Sequence, residues 1–233
     1  MSQCNTTFES IKQSIAHSVL NTIKERIPEM VVRLHCFGLD FGMSRVEGSV
    51  MDIYRESGEH CESEITASAD VRVQYAFCNA EKASAIIDSW NEKLSDILKG
   101  TVDMLKNSVE PWLALKMPIV GDTRVPSHHL SIDVQRACFS ELRNIISMMF
   151  DVFQSIAKYH EMRDNLVHQM EQQRCISDNI IRCLMRTDVE HALYLYFASI
   201  DQRNNLIVLQ NALDKNFDIL NGPSCSGGTL FEK

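Results

Sequence analysis

The stretch SIDVQRACFSELRNIISMMFDVFQSIAKYHEMRDNLVHQMEQ, residues 131–172, decides the fold. Its apolar residues recur at spacings of three and four, which is typical of a helix with a continuous buried seam. The seam, which includes one polar residue, comprises Ile132, Gln135, Phe139, Leu142, Ile146, Met149, Phe153 and Ile156. A second apolar set occupies a neighbouring face: Val134, Cys138, Ile145, Met148, Val152, Tyr159 and Val167. This breadth predicts a long helix that is buried on more than one side.

Three more stretches have a helical apolar periodicity, over residues 6–36, 80–116 and 177–220. Pro28 falls inside the first stretch and should end or kink that helix, because proline lacks a backbone N–H and clashes with the preceding turn. Pro111 predicts a late kink in the second helix, and Pro118 ends it. A Gly-Pro pair at 222–223 ends the fourth helix.

The segments between these helices differ in character. Residues 38–70 form an acidic insert with eight acidic residues and two arginines, so most of the chain's net charge of −8 is concentrated there. We expect this insert to be a flexible surface segment. Residues 117–130 are rich in turn and loop residues and predict an irregular connection. The last eleven residues, 223–233, form a tail of mostly small residues that ends in Thr-Leu-Phe-Glu-Lys.

Composition narrows the classes of protein. The chain has 233 residues, of which 45% are hydrophobic, with only nine glycines and five prolines, a balance that suits long helices better than a β-sandwich. The negative net charge argues against a nucleic-acid partner, and no run of about 18 apolar residues predicts a membrane span. The polar N-terminus lacks the apolar region of a signal peptide. Eight cysteines without zinc spacing therefore indicate reduced thiols in a cytoplasmic or nuclear protein.

Four long helices whose second and third connections are short predict one domain, an up-down-up-down four-helix bundle. In that topology residues 117–130 and the tail lie at the same end of the bundle, and the acidic insert lies at the other. The two segments are then either parts of one docking surface or a simple turn beside a frayed terminus. The doubly apolar third helix further predicts lateral contacts between copies of the bundle, which close most simply into a ring.

Several motifs resemble the 11S (REG) proteasome activators. The segment WLALKMP at 112–118 is similar to the end of that family's second helix, and SIDVQ at 131–135 is similar to the start of its third. IAKYHEMR at 156–163 resembles a segment late in the third helix, and the Asn-Phe pair at 216–217 resembles the close of the fourth. Weaker similarities lie at 26–29 and 78–81.

The resemblance implies an ATP-independent activator whose homo-oligomeric ring, with seven subunits, docks on the α-ring of the 20S proteasome. It also implies that residues 117–130 are an activation loop that opens the proteasome gate. Its central residues are Gly121, Asp122, Thr123, Arg124, Val125, Pro126, Ser127, His128 and His129. The resemblance implies that the C-terminal residues enter pockets on the proteasome: Gly228, Thr229, Leu230, Phe231, Glu232 and Lys233. No motif in the sequence places a catalytic residue, so we expect no enzyme activity and no cofactor or metal.

The sequence departs from the family pattern at both segments. The loop is about two residues longer than usual, and Ser127 stands where the family has an asparagine before the third helix. A hydroxyl group cannot reproduce both hydrogen bonds of a carboxamide. In the tail, Phe231 takes the place of a terminal aromatic residue but is followed by Glu232 and Lys233. We expect either a shifted binding register or an altered pocket selectivity.

Two alternatives remain from the residues alone. A coiled-coil scaffold without any link to the proteasome would share every helix prediction. A helical metalloprotein would use His160, Asp164 and His168, which share one face of the third helix, or His60, Glu62 and Glu64 in the acidic insert. For both groups a solvated surface is the simpler interpretation. No phosphate-binding glycine loop occurs in the sequence, so no nucleotide is implied.

Overall fold

The computed structural model describes residues 2–40, 50, 52–53, 69–115, 129–172 and 178–221. All the regular structure in these ranges is helical and none of it is strand. The all-α fold class predicted from the sequence is therefore confirmed. Within the same ranges, no helix has the length and apolar character needed to cross a membrane.

Within the described ranges, the chain forms long helical runs, two of which contain a short π-helical turn. The helices are α1 (Ser2–Asn21), α2 (Ile27–Asp40), α3 (Ala69–Met104), α4 (Glu110–Leu115), α5 (His129–Gln172) and α6 (Asp178–Asn221). Turn π1 (Thr22–Arg26) joins α1 to α2, and turn π2 (Leu105–Val109) joins α3 to α4. The 44-residue α5 contains the whole stretch that the sequence identifies as the longest buried seam.

Several helix boundaries differ from the prediction. The first run extends to Asp40 and α3 begins at Ala69, so both ends of the predicted acidic insert are helical. The charge pattern that marked the insert does not oppose a helix at its ends, because an established helix adds residues at little cost. Helix α5 begins at His129, which the sequence had placed in the loop. Most of the insert lies outside the described residues.

Pro28 and Pro111 do not end their helical runs, so of the end or kink predicted at Pro28 the end is wrong. A π turn directly precedes each of the two helices that have a proline at their second residue. In a π turn the backbone hydrogen bond spans five residues instead of four. The N–H of Ile27 donates to the carbonyl of Thr22, and the N–H of Glu110 donates to that of Leu105. The next residue in each run is the proline. It has no backbone N–H to donate, and its ring must avoid a carbonyl oxygen of the preceding turn. A π turn provides that room, so the helical run continues.

The chain divides into two compact units, each of which takes a part of every helical run. The first unit comprises Met1–Val31, Gly100–Ser147 and Asn204–Lys233. The second comprises Val32–Lys99 and Met148–Arg203. The core of the first unit includes the fully buried side chains of Ile23, Leu105, Leu142 and Leu213. Burying an aliphatic side chain of this size contributes roughly 1.5–3 kcal/mol, so such residues supply the main stabilisation.

The second unit has two apolar clusters. One contains Val50, Ala83, Ile87 and Tyr159, with Trp90, Met185 and Val189 packed against it. The other contains Ala80, Met170, Ile180 and Leu184, with Leu166 and Val167 packed against it. Each cluster joins residues of α3, α5 and α6. Four thiols in the described chain, those of Cys36, Cys78, Cys138 and Cys183, are free.

Candidate docking site

The predicted docking residues lie almost entirely outside the described residues. Gly121 to His128 belong to the range 116–128, and Gly228 to Lys233 belong to the range 222–233. His129 is the exception, since it is the first residue of α5. The structure does describe the residues that flank both segments. The loop leaves from Leu115 and returns at His129, while the tail leaves from Asn221.

An aromatic stack joins the helix ends from which the two segments leave. Trp112 lies three residues before the end of α4, and Phe217 lies four residues before the end of α6. Their ring centroids are 5.5 Å apart, and their planes are inclined by 19°. Trp112 is only 2% exposed. Such a pair contributes about 0.5–1.5 kcal/mol beyond its buried area, so it fixes the ends of α4 and α6 against each other.

A buried amide connects the two flanks of the loop. Gln135, in the second turn of α5, donates a hydrogen bond from its Nε2 to the carbonyl oxygen of Leu113. That carbonyl belongs to the last turn of α4, where carbonyl groups have no partner within the helix. Gln135 is 3% exposed, so an unpaired amide at this position would be costly. The bond therefore caps α4 and sets the spacing at which the loop starts and returns.

An outer contact supports the same pair of helices. Arg143 of α5 lies 3.4 Å from the carboxylate of Glu110 in α4, and its guanidinium lies 4.6 Å from the ring centre of Phe139. Because Arg143 is exposed, this ion pair contributes at most about 1 kcal/mol. The stack and the buried amide are the principal anchors.

The two π turns contact each other through hydroxyl groups. Thr22 is 1% exposed, and its hydroxyl donates to the carbonyl of Ser18 at 3.0 Å. Since that bond uses its only hydrogen, the Thr22 oxygen accepts from the hydroxyl of Ser108 at 3.0 Å. The middle of the first helical run therefore lies beside the late part of the second.

An open apolar groove adjoins the point where the tail begins. Its lining residues come from α1 and from the last turn of α6: Gln13, Ala16, His17, Leu20, Phe217 and Asn221. The cavity volume is about 230 Å³. Phe217 therefore packs on Trp112 and also forms part of the groove wall.

A buried polar network occupies the second unit, and none of its residues belongs to the predicted docking segments. Asp188 of α6 is fully buried and accepts a hydrogen bond from the Tyr159 hydroxyl at 3.0 Å. The Nε of Arg163 lies 3.3 Å from the same carboxylate oxygen, an ion pair whose angle falls short of a hydrogen bond. Arg163 also donates from Nη2 to the carbonyl of Ala80 in α3. This network therefore fixes the register of three helices.

Burial controls the ionisation of this network. It is the largest cause that raises the pKa of the Tyr159 hydroxyl, and the Asp188 charge raises it further while Arg163 lowers it. Tyr159 accordingly stays protonated and donates to the carboxylate. The hydroxyl therefore makes a structural contact between α5 and α6.

The proposed metal ligands on the third helix do not converge. His160 lies 3.8 Å from Asp88 and 3.5 Å from the amide of Asn91, whereas His168 contacts Glu171 and Gln172 on the exposed surface of α5. Among the residues that the structure describes, no group of three or more histidine, cysteine, aspartate or glutamate side chains is placed to hold a metal ion. His60, Glu62 and Glu64 lie outside those residues.

Comparison with known proteins identifies the family of this chain. A family model described as "Proteasome activator PA28, C-terminal" matches residues 81–228, well over half of the chain. The chain belongs to the PA28 family of proteasome activators. This confirms the 11S family membership that the sequence motifs predict. The match includes the whole loop and the first part of the tail, and it ends before Thr229.

A solved structure shows the same fold. The PA28 family chain is similar to the 11S subunit of the Plasmodium falciparum proteasome, PA28, with a TM-score of 0.54. The identity is 14%, and the alignment covers 95% of this chain and 94% of that chain. At such low identity the likeness concerns the fold, a bundle of long helices. No curated protein sequence matches the chain.

Proposed function

We propose that this PA28 family member assembles into a ring, docks on the α-ring of the 20S proteasome and opens its gate without nucleotide. The observation that carries the proposal is that the flanks of the loop and the tail are fixed against each other within one unit. The Trp112–Phe217 stack and the bond from Gln135 to Leu113 make this fixed base. Segments that leave a common rigid base are suited to contact one surface together.

Exposed apolar residues on α6 support the ring. Phe197, Val208 and Ile219 are 52%, 55% and 41% exposed. They are spaced by eleven residues, which is close to three helical turns, so they lie on one side of α6. Apolar residues repeated along one side of a helix favour contact with another helix. Identical subunits that pack side by side form either a closed ring or a filament, and family membership favours the ring.

The ring is a requirement for affinity in this mechanism. A single tail that buries Leu230 and Phe231 makes a small contact, and its terminal carboxylate adds a charge-assisted bond to a lysine of the partner. Several tails on one ring engage several pockets together, which raises the overall affinity by about 100- to 10,000-fold. A monomer with the same tail would bind too weakly to act.

The loop supplies gate opening and the chain supplies no chemistry of its own. Residues 117–130 would contact the gate segments of the proteasome only in their open arrangement, which shifts a two-state equilibrium toward that arrangement. The protein acts as a regulator in the cytoplasm or the nucleus and is not an enzyme. The activation loop residues Gly121 to His129 and the tail residues Gly228 to Lys233 have these roles in the proposal.

Deletion of Leu230–Lys233 tests the function. Native mass spectrometry should show an intact ring, whereas stimulation of fluorogenic peptide hydrolysis by the 20S proteasome should be lost, because the pocket-binding residues are absent. A Ser224→Ala variant, which changes the tail but keeps its last residues, should stimulate normally. Undiminished stimulation by the truncated ring contradicts the tail assignment. A ring that never affects the proteasome favours the scaffold alternative, and a stable monomer without effect contradicts the proposal as a whole.

A further inference from the structure

The groove between α1 and the end of α6 combines apolar walls with a polar rim. Ala16, Leu20 and Phe217 provide the apolar walls, while Gln13 and His17 contribute an amide and an imidazole. At about 230 Å³, it is smaller than the roughly 300–1,000 Å³ of typical small-molecule sites. A groove of this size suits one or two apolar side chains of a peptide. The polar groups are suited to hydrogen bonds with the backbone of such a peptide.

We propose that this groove binds the chain's own C-terminal residues Leu230 and Phe231 when the protein is free. The two residues are the large apolar side chains of the twelve that follow Asn221. The contact itself does not depend on the proposed function, whereas its effect on proteasome docking does.

The tether between the groove and these residues has a suitable length. Asn221 lines the groove and is also the last residue of α6, so the tail starts at the rim of the site. Leu230 follows nine residues later, a length that spans about 30 Å when extended. The groove residues from Gln13 to Leu20 extend over only about 10 Å of helix. A return of the tail to the groove therefore requires no extended or strained conformation.

The tail sequence also favours a return. Gly227 and Gly228 stand directly before Thr229 and Leu230, and glycine adopts turn conformations that other residues avoid. Short flexible tethers give effective concentrations in the millimolar range. The chain's own tail therefore competes well against a segment from any unattached molecule, and its start at the groove rim favours it over the tail of a second copy.

The consequence concerns the availability of the tail. Leu230 and Phe231 cannot occupy the groove and a pocket on another protein at the same time. Docking on the proteasome would then begin with release of the tail from the groove, so the free protein holds its binding residues in a masked state. A variant whose groove binds the tail more weakly should have a higher affinity for the proteasome, because more of its tails are free to dock.

Hydrogen exchange on the isolated protein tests the contact without any proteasome. The full chain is compared with a double variant, Leu230→Ser with Phe231→Ser, which keeps every residue of the described helices. Amides of residues 13–20 and 217–221 should exchange about tenfold faster in the double variant. That factor corresponds to an effective concentration of the tail about ten times the dissociation constant of the contact. A Thr229→Ala variant is the matched control and should exchange like the full chain.

Two further arms complete the test. An Ala16→Leu variant fills the groove, so its exchange should no longer depend on the tail; the tail variants remain informative if this variant does not fold. In the second arm, isotope-labelled chains that lack Leu230–Lys233 are assembled together with full-length chains. Protection of the groove on the labelled chains can then come only from the tail of another copy. Equal exchange in the full chain and the double variant overturns the proposal. Protection that appears on the truncated chains assigns the groove to a second copy and overturns the assignment to the chain's own tail. Tail-dependent protection without proteasome stimulation would refute the proposed function alone.

Discussion

His191 stacks flat on Tyr159, with ring centroids 4.0 Å apart and planes inclined by 5°. His191 is 6% exposed, and its Nε2–H donates to Oδ1 of Asn91 at 2.8 Å. Burial, together with a smaller repulsion from His160, lowers the pKa of His191 to about 4. The imidazole is therefore neutral in the folded protein at neutral pH, and it joins α3, α5 and α6 as an uncharged member of the polar network.

We expect stability to fall between pH 6.5 and pH 4 because of His191. Its pKa is lower in the folded state than in the unfolded state, so the unfolded state binds more protons in this window. The contribution of His191 to the free energy of unfolding is fully present above its pKa in the unfolded state. It is lost as the pH falls toward its pKa in the folded state. Between pH 7.5 and pH 5 the loss should be about 2 kcal/mol, measured by urea denaturation at both pH values. A His191→Gln variant should lose less over this range, whereas exposed His168→Gln should behave like the original chain. Equal losses in His191→Gln and the original chain would disprove this assignment.

Removal of the Asp188 carboxylate should be among the most damaging single changes. Asp188→Ala leaves the buried Arg163 guanidinium without its ion-pair partner and removes the acceptor of the Tyr159 hydroxyl. We expect a loss of about 3–5 kcal/mol in the free energy of unfolding. Tyr159→Phe removes only one hydrogen bond and should cost about 1–3 kcal/mol.

The matched control for Asp188 lies two residues further along α6. Glu190 forms an ion pair with Arg186 at 2.6 Å, but both side chains are mostly exposed. Glu190→Ala should leave the unfolding transition unchanged, because water and salt screen an exposed pair. If Asp188→Ala is as mild as Glu190→Ala, the buried network does not stabilise the fold as described.

Trp112 should be important for both stability and activation. Trp112→Ala removes the stack on Phe217 and leaves a cavity, for which we expect a loss of about 3–5 kcal/mol in thermal or chemical unfolding. Trp112→Phe keeps an aromatic ring and removes an indole N–H that has no partner among the described residues, so its cost should be smaller. Stimulation of the proteasome should fall in the same order. A Trp112→Ala variant with normal stability would show that the stack is not an anchor.

Thr22 provides a test of the contact between the π turns. Thr22→Val preserves the shape of the side chain but removes its bonds to Ser18 and Ser108. The expected cost is about 1–2 kcal/mol in the free energy of unfolding, since the Ser108 hydroxyl loses its partner. Thr22→Ser keeps the hydroxyl and should lose less than the valine variant. The reverse order would mean that the methyl group, not the hydroxyl, is the stabilising part.

Ser127 separates binding from gate opening in the proposed mechanism. Ser127→Trp should leave the ring intact and keep its affinity for the proteasome, because the tail supplies the binding contacts. Stimulation of peptide hydrolysis should nevertheless be lost, since a bulky loop cannot make the same contacts with the open gate. Pull-down of the 20S proteasome and a peptidase assay on the same samples measure the two effects. Loss of binding instead would assign Ser127 to a structural role.

The sequence predicts the helices well because burial follows a period that a single chain displays. The seam through Leu142, Ile146 and Met149 is buried as expected, and long helices end near the predicted positions. The periodicity does not show which distant polar residues form hydrogen bonds with each other. Asn91 and His191 are 100 residues apart, and nothing local to either indicates the other. The periodicity places Gln135 in the apolar seam, but in the structure its amide caps α4. A polar residue within an apolar seam is the sequence signal that could have identified this cap. The loop and tail assignments remain predictions.

Each π turn accommodates one more residue than the corresponding stretch of regular helix. Every side chain beyond it is consequently rotated by about 100° from the direction that uninterrupted counting would give. The first two helical runs both contain such an extra residue, and they contact each other there through Thr22 and Ser108. Deletion of one residue from either π turn would rotate the side chains of the helix that follows it. The side chains of the other helical run would keep their directions, so the two runs would no longer pack as they do. We therefore expect the two insertions to be retained or lost together during evolution, and alignments or designs that span Pro28 or Pro111 need a one-residue offset.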